Sequence, residues 1–137
     1  MKPISSHTLQ FRVRYSETDQ MQTFYNSRAL EWFEVGRTEL SRAMGVSYVE
    51  WEHRGIQLPL IEAHVYCTGR AKYDDLLEMT TSIHREGRAR IRFENRIVQA
   101  DGSGGVAHGQ TVHAMIGTKG RPVRAPEWVL DLLKQEN

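Results

Sequence analysis

Cysteine is almost absent: Cys67 is the only one in 137 residues, so an internal disulfide framework is excluded and burial must hold the chain together. That fits a reducing, cytoplasmic setting, and Cys67 itself reads as a small buried apolar side chain rather than a nucleophile. An excess of either charge is lacking too. Eighteen basic and 17 acidic side chains leave a formal net charge of +1, which offers no bulk field for nucleic acid or an anionic membrane surface. No window approaches the ~20 apolar residues of a membrane span, and Met1-Lys2-Pro3-Ile4-Ser5-Ser6-His7 has no apolar secretion core. Repeats, low-complexity segments and interdomain linkers are missing. So are the H-E-x-x-H zinc motif, the Gly-x-Ser-x-Gly elbow, the phosphate-binding loop and the dinucleotide fingerprint. His108 and His113, five apart in a strand, face opposite sides, so no metal site is expected.

What is present has the size of one domain, over residues 1–137, which buries roughly two-thirds of its unfolded surface. Leu9, Phe11, Val13 and Tyr15 alternate with Gln10, Arg12 and Arg14, the period-two pattern of a strand with one buried face. From Ser27 to Met44 the positions Ala29, Trp32, Phe33, Gly36, Leu40 and Ala43 recur at three and four, one stripe of a long helix stopped by Gly45. A short helix over 47–53 is predicted next, capped by Ser47 and followed by Gly55.

Strand texture follows in four runs, Leu58–Gly69, Leu76–Arg85, Ala89–Gln99 and Val106–Gly117. Glu86-Gly87 and Asp101-Gly102-Ser103-Gly104-Gly105 read as hairpin turns, so neighbouring strands are expected to be antiparallel. The third run sets Ala89, Ile91, Phe93, Asn95 and Ile97 on one face against Arg88, Arg90, Arg92, Glu94 and Arg96 on the other. Pro126 to Lys134 closes as a short helix with proline at its start. One long helix and then about five strands predict an α+β layer with the helix over a curled antiparallel sheet. A helix of ~18 residues is about 27 Å long, enough to cross several strands spaced ~4.8 Å apart.

The most informative stretch joins the first strand to the long helix: Tyr15-Ser16-Glu17-Thr18-Asp19-Gln20-Met21, then Asn26-Ser27-Arg28-Ala29-Leu30-Glu31-Trp32-Phe33-Glu34-Val35-Gly36-Arg37-Thr38-Glu39. It leaves Asp19 in the loop ahead of the helix. A loop aspartate there reads either as an Asx-turn or capping residue or as a carboxylate placed for polar chemistry beside free backbone N–H groups. Glu17 has the same two readings.

This run resembles the N-terminal signature of the hotdog-fold acyl-CoA thioesterases of the hydroxybenzoyl-CoA thioesterase family. Gln57-Leu58-Pro59-Leu60-Ile61-Glu62, Ala71-Lys72-Tyr73-Asp74-Asp75, Gly109-Gln110-Thr111-Val112-His113 and Gly120-Arg121-Pro122-Val123-Arg124-Ala125-Pro126 extend the resemblance over nearly the whole chain. It implies hydrolysis of an acyl-CoA to free acid and CoA without metal or redox cofactor. Asp19 would be nucleophile or general base, and the backbone amide of Asn26 would polarise the carbonyl. It also implies a homodimer or homotetramer in which sheets join edge to edge and sites lie at the subunit boundary. Leu58 and Pro59 are candidates for the acyl pocket; Phe24 and Tyr25 read as cavity wall or as ordinary core.

Coenzyme A brings phosphates, and Arg88 and Arg90, with Lys72 as a weaker candidate, are the cations expected to meet them. The other reading of the two arginines is a solvated outer sheet face. Tyr73-Asp74-Asp75 reads as a turn. The chain departs from the family pattern at Met21-Gln22, where glycine is usual, at Asn26, where His or Tyr is usual, and at Ala29, where an aromatic residue is common. Those departures motivate an alternative, a hotdog module that binds an acyl thioester or a protein without turnover. A hydratase using Glu62 and His64, which share a strand face, is a third reading; a structural pair is the other reading of those two residues.

Overall fold

A computed structural model describes residues 5–133 of the chain. Its elements run β1 (Ser6–Arg12), a 3-10 turn (Tyr15–Glu17), α1 (Arg28–Ala43), α2 (Tyr48–His53), β2 (Leu60–Cys67), β3 (Leu76–Glu86), β4 (Arg90–Gln99), β5 (Gly105–Ala114) and α3 (Glu127–Leu133). The strands form one antiparallel sheet in the order β1-β3-β4-β5-β2. The expected α+β arrangement of a long helix over a five-stranded antiparallel sheet is what forms.

Helix α1 buries Ala29, Trp32, Phe33, Gly36 and Leu40, the stripe expected from spacing of three and four. Its first half packs Trp32 and Phe33 against Leu77, Met79, Ile97 and Val106 of the sheet. Its second half contributes Leu40 to another cluster, with Trp51, Ile56, Ile83, Ile91, Phe93 and Met115, that α3 closes through Val129 and Leu132. Beyond Ala43 the chain turns at Gly45, whose φ of 94° is the left-handed conformation that glycine adopts without a Cβ clash. Ser47 caps α2 by accepting from the Glu50 N–H.

Two expectations need correction. β1 ends at Arg12, short of Tyr15, because Val13 leaves the ladder to exchange backbone hydrogen bonds with Asp74 and Asp75. Cys67 is exposed rather than buried. It ends β2, which among the described residues pairs only with β5 and whose residues are exposed on both faces except for half-buried Val65. Among the described residues no layer covers β2.

The remaining elements differ from the sequence reading by at most three residues at their described ends. The last predicted helical residue, Lys134, lies outside the described residues.

Candidate active site

The loop that carries Asp19 is a small closed structure of its own. Thr18 and Phe24 form an isolated antiparallel bridge, the Asp19 N–H donates to the Thr23 carbonyl at 2.9 Å, and the Gln22 N–H donates to the Asp19 carbonyl at 3.0 Å. The Asp19 carboxylate accepts from the Met21 N–H at 2.8 Å through Oδ1, an Asx-turn that occupies one oxygen. Gln22 sits at φ 62°, in left-handed space that favours glycine.

Three outside contacts hold this loop. The Phe24 N–H donates to the Ala71 carbonyl at 2.9 Å, the Ala71 N–H to Thr23 Oγ1 at 3.0 Å, and the Arg70 guanidinium to the Met21 carbonyl.

Glu17 is the anchor behind the loop. Its side chain is almost fully buried, yet it accepts from the Arg14 N–H at 2.7 Å, the Arg14 guanidinium at 3.2 Å and Trp32 Nε1 at 2.8 Å. Burial alone would raise its pKa, but these hydrogen bonds outweigh that and hold it below the ordinary carboxylate value. Glu17 is therefore a bound anion that ties the loop to α1, with its acceptor oxygens already engaged.

Asp19, Thr23, Phe24, Tyr25, Asn26, Cys67, Gly69 and Arg70 line one cleft of about 180 Å³. The Tyr25 N–H is used by the Glu17 carbonyl, and Arg28 and Ala29 donate to Tyr25 and Asn26. Among the described residues the Asn26 N–H makes no hydrogen bond. A half-buried carboxylate and a main-chain donor without a partner thus border the same cleft. Phe24 is buried against Trp32, ring centroids 5.0 Å apart, so it is core as well as wall, whereas Tyr25 is 52% exposed. Ala29 is fully buried, so the small side chain at that position belongs to the core under α1.

The other sequence candidates lie elsewhere. Leu58 lines a separate cavity of about 340 Å³ beneath the later turns of α1, and Pro59 beside it is exposed. His113 is 1% exposed in that region, with Nδ1 3.0 Å from the Leu58 carbonyl and Nε2 3.0 Å from Thr111 Oγ1. A carbonyl only accepts, so Nδ1 carries the proton and Nε2 accepts from the threonine hydroxyl. Burial pushes the His113 pKa down to about 4 and keeps the ring neutral.

Arg90 begins β4, and Arg88 precedes it in the β3–β4 turn. Gln99 ends β4 and donates to the Arg70 carbonyl at 3.1 Å, beside the Asp19 cleft. Nine residues of strand, roughly 30 Å, therefore separate the two arginines from Asp19 within one chain. Lys72, adjacent to Ala71, is on the Asp19 side; its N–H donates to Asp75 in the Tyr73-Asp74-Asp75 turn. Glu62 and His64 are both exposed, and no hydrogen bond or ion pair joins them. Among the described residues no cluster of His, Cys, Asp and Glu is arranged to hold a metal, and no helix is long and apolar enough to cross a membrane.

Sequence reasoning missed Arg70, Thr23 and Gly69 as cleft residues. Thr23 lies in the Asp19 loop itself, whereas Gly69 and Arg70 reach Asp19 only through the pairing of the post-β2 segment with the loop, for which the sequence holds no local signal.

The sheet order, the α1 layer and the cleft at the mouth of α1 define a hotdog-fold protein. The chain belongs to the thioesterase-like superfamily, whose family model matches residues 13–133. It is 33% identical over 91 residues to the acyl-CoA thioesterase YbgC of Haemophilus influenzae, covering 64% of this chain and 65% of that one. It is 39% identical over 56 residues to YneP of Bacillus subtilis, 41% of each. The chain thus spans less than two-thirds of either relative. A crystal structure of a hypothetical protein from Aquifex aeolicus superposes with a TM-score of 0.85 at 27% identity, covering 93% of this chain and 98% of that one.

Proposed function

We propose that the protein hydrolyses acyl-CoA thioesters, with Asp19 as general base or nucleophile and the Asn26 backbone amide as oxyanion donor. The observation that carries this reading is the shared cleft, whose lining includes Asp19 and also Asn26, the latter with a backbone N–H unpaired among the described residues. Membership of the superfamily and the likeness to YbgC support the substrate class. In the general-base form, Asp19 takes a proton from water as the water oxygen bonds to the thioester carbon. Negative charge gathers on the carbonyl oxygen against the Asn26 N–H, and the C–S bond breaks to release CoA thiolate. In the nucleophilic form the carboxylate oxygen itself forms that bond, and water then opens the resulting anhydride.

The reading includes a homodimer or homotetramer formed through the uncovered β2. Its exposed Leu60, Ile61 and Tyr66 are 47%, 44% and 56% accessible, and an unpaired edge strand is a template for pairing. A partner would bring its own Arg88 and Arg90 within reach of a nucleotide whose acyl end lies near Asp19, which the ~30 Å separation within one chain denies.

Free-thiol release from a panel of acyl-CoA substrates tests the proposal directly. Asp19→Asn should lower the rate at least 100-fold, and equal rates for the two proteins would reject the assignment. Asn26→Ala should change kcat only a few-fold, because the donor is main chain. The second reading, a binding module without turnover, is favoured by the Met21 N–H that already occupies Asp19 Oδ1. Thermal stabilisation by CoA with no hydrolysis across the panel would select it.

A further inference from the structure

The cavity under the later turns of α1 has a chemistry of its own. It is bordered by Trp51, Leu58, Ile83 and Phe93 on its apolar side and by Glu34, Arg37, Thr38, Ser41, Tyr48 and His113 on the other. Three of those polar groups already carry hydrogen bonds. Ser41 Oγ donates to the Val46 carbonyl and accepts from Trp51 Nε1 at 2.9 Å. Both nitrogens of His113 are engaged. The Tyr48 hydroxyl accepts from the Leu58 N–H at 3.3 Å, which leaves its own proton free to donate.

Glu34, Thr38 and Arg37 make no side-chain hydrogen bond among the described residues, and Arg37 is the cation of the three. Half-buried in this wall, it makes no hydrogen bond and no ion pair within 4 Å among the described residues. Burial lowers its pKa from the ordinary arginine value, against the opposing pull of Glu34 and Tyr48. A desolvated guanidinium without a bonded partner is costly, and an arginine fork matches a carboxylate in two parallel hydrogen bonds. Arg37 and Tyr48 therefore offer the cavity donors, five guanidinium N–H groups and one phenol, while the Thr38 hydroxyl can donate or accept and the exposed Glu34 is the anion of the lining. At about 340 Å³ it lies at the small end of ligand pockets, which run from roughly 300 to 1,000 Å³.

We infer that this cavity binds a small organic acid, a carboxylate on a compact apolar body, with the carboxylate on Arg37 and Tyr48 and the body against Trp51, Leu58, Ile83 and Phe93. The site stands apart from Asp19: Arg37 is nine residues, about 14 Å along the helix axis, from the first residue of α1. Binding there does not depend on hydrolysis. The acid would be either the far end of an acyl group entering between chains or a free carboxylate acting on its own.

Glu34, exposed on the same wall, makes the test specific in sign. Calorimetric titration of the purified protein with benzoate, and with benzamide as the uncharged isostere, should show saturable benzoate binding and at least tenfold weaker benzamide binding. Arg37→Gln should weaken benzoate at least tenfold and leave benzamide unchanged. Glu34→Gln, which removes a like charge, should tighten benzoate. Arg37→Gln breaks no hydrogen bond, so its unliganded melting temperature should match or exceed that of the parent and show that it folds. Thr38→Phe, which fills the space with the guanidinium intact, should abolish binding of both probes. No saturable heat with benzoate, or equal benzoate affinity in the parent and Arg37→Gln, overturns the inference. Where acyl-CoA hydrolysis is measurable, competitive inhibition by benzoate assigns the cavity to the acyl end, and non-competitive inhibition assigns it to a free acid. Either pattern supports the site.

Discussion

Glu17 and Asp19 stand two residues apart and do opposite work, which residue type alone does not distinguish. Glu17 has all its hydrogen bonds made and ties Arg14 and Trp32 to the loop. Replacing it by Gln leaves one acceptor oxygen for two sets of donors, so Glu17→Gln should cost roughly 1–3 kcal/mol in denaturant unfolding. Asp19 has one oxygen engaged by its own turn and borders a cleft with the other groups of the candidate site. Both readings of a loop aspartate, turn former and poised carboxylate, are thus compatible with one geometry.

Gln22 carries the cost of the departure from glycine at that place in the loop. Left-handed backbone costs a non-glycine residue about 1–2 kcal/mol, partly offset by the larger entropy that glycine loses on folding. Gln22→Gly should therefore raise stability by up to about 1 kcal/mol, read from the midpoint of a urea titration. Cys67 shows where composition misleads at this scale. A lone cysteine reads as buried by frequency, and only the outer position of β2 decides otherwise.

At the scale of elements, the contact between α1 and the sheet governs what lies on either side of it. A Cβ built on Gly36 would stand 2.3 Å from Thr81 Oγ1 and 3.0 Å from Met79 Cε. Thr81 is fully buried and donates to Asn95 Oδ1 at 3.0 Å, so it has little room to yield. Alanine at Gly36 gains up to about 1 kcal/mol of helix propensity, but overpacking of this kind costs about 1–3 kcal/mol. Gly36→Ala should come out destabilised by thermal and chemical denaturation. The stripe on α1, the caps at Ser47 and Gly45, the hairpin turns and the alternation of β4 were legible because each depends on neighbours within about five residues. Strand ends were less so: β1 stops where a segment more than 60 residues later takes over its hydrogen bonds.

For the molecule as a whole, His113 sets an acid limit. Its pKa is lowered from 6.5 to about 4 by burial, so the unfolded chain binds the extra proton more readily between those values. Stability should be fully present above pH 6.5 and fall as pH drops toward 4, by an amount on the order of 3 kcal/mol from this group. The group is 1% exposed, so little solvent screening reduces that figure. Unfolding curves at pH 7 and pH 4.5 should show the loss, and His113→Gln, where it folds, should flatten the dependence. The uncovered β2 sets the other prediction at this scale. Sedimentation should find two or four chains, and Ile61→Glu should give monomers that lose thiol release if the site needs a second chain.

The sequence by itself determined the local periods: which segments are helix or strand, where they turn, and that a long helix covers an antiparallel sheet. It also placed Asp19 and Asn26 seven apart around a helix start, and in the folded chain those two share a cleft. Tertiary structure alone decided what joins them. Arg70 and Gly69 arrive at the cleft from after β2, Arg88 and Arg90 end up at the far end of β4, and Arg37 borders a cavity with no hydrogen bond among the described residues. The physical reason is range. Periodicity, capping and turn preferences act over a few residues, whereas a cleft is defined by which distant segments the sheet order brings side by side.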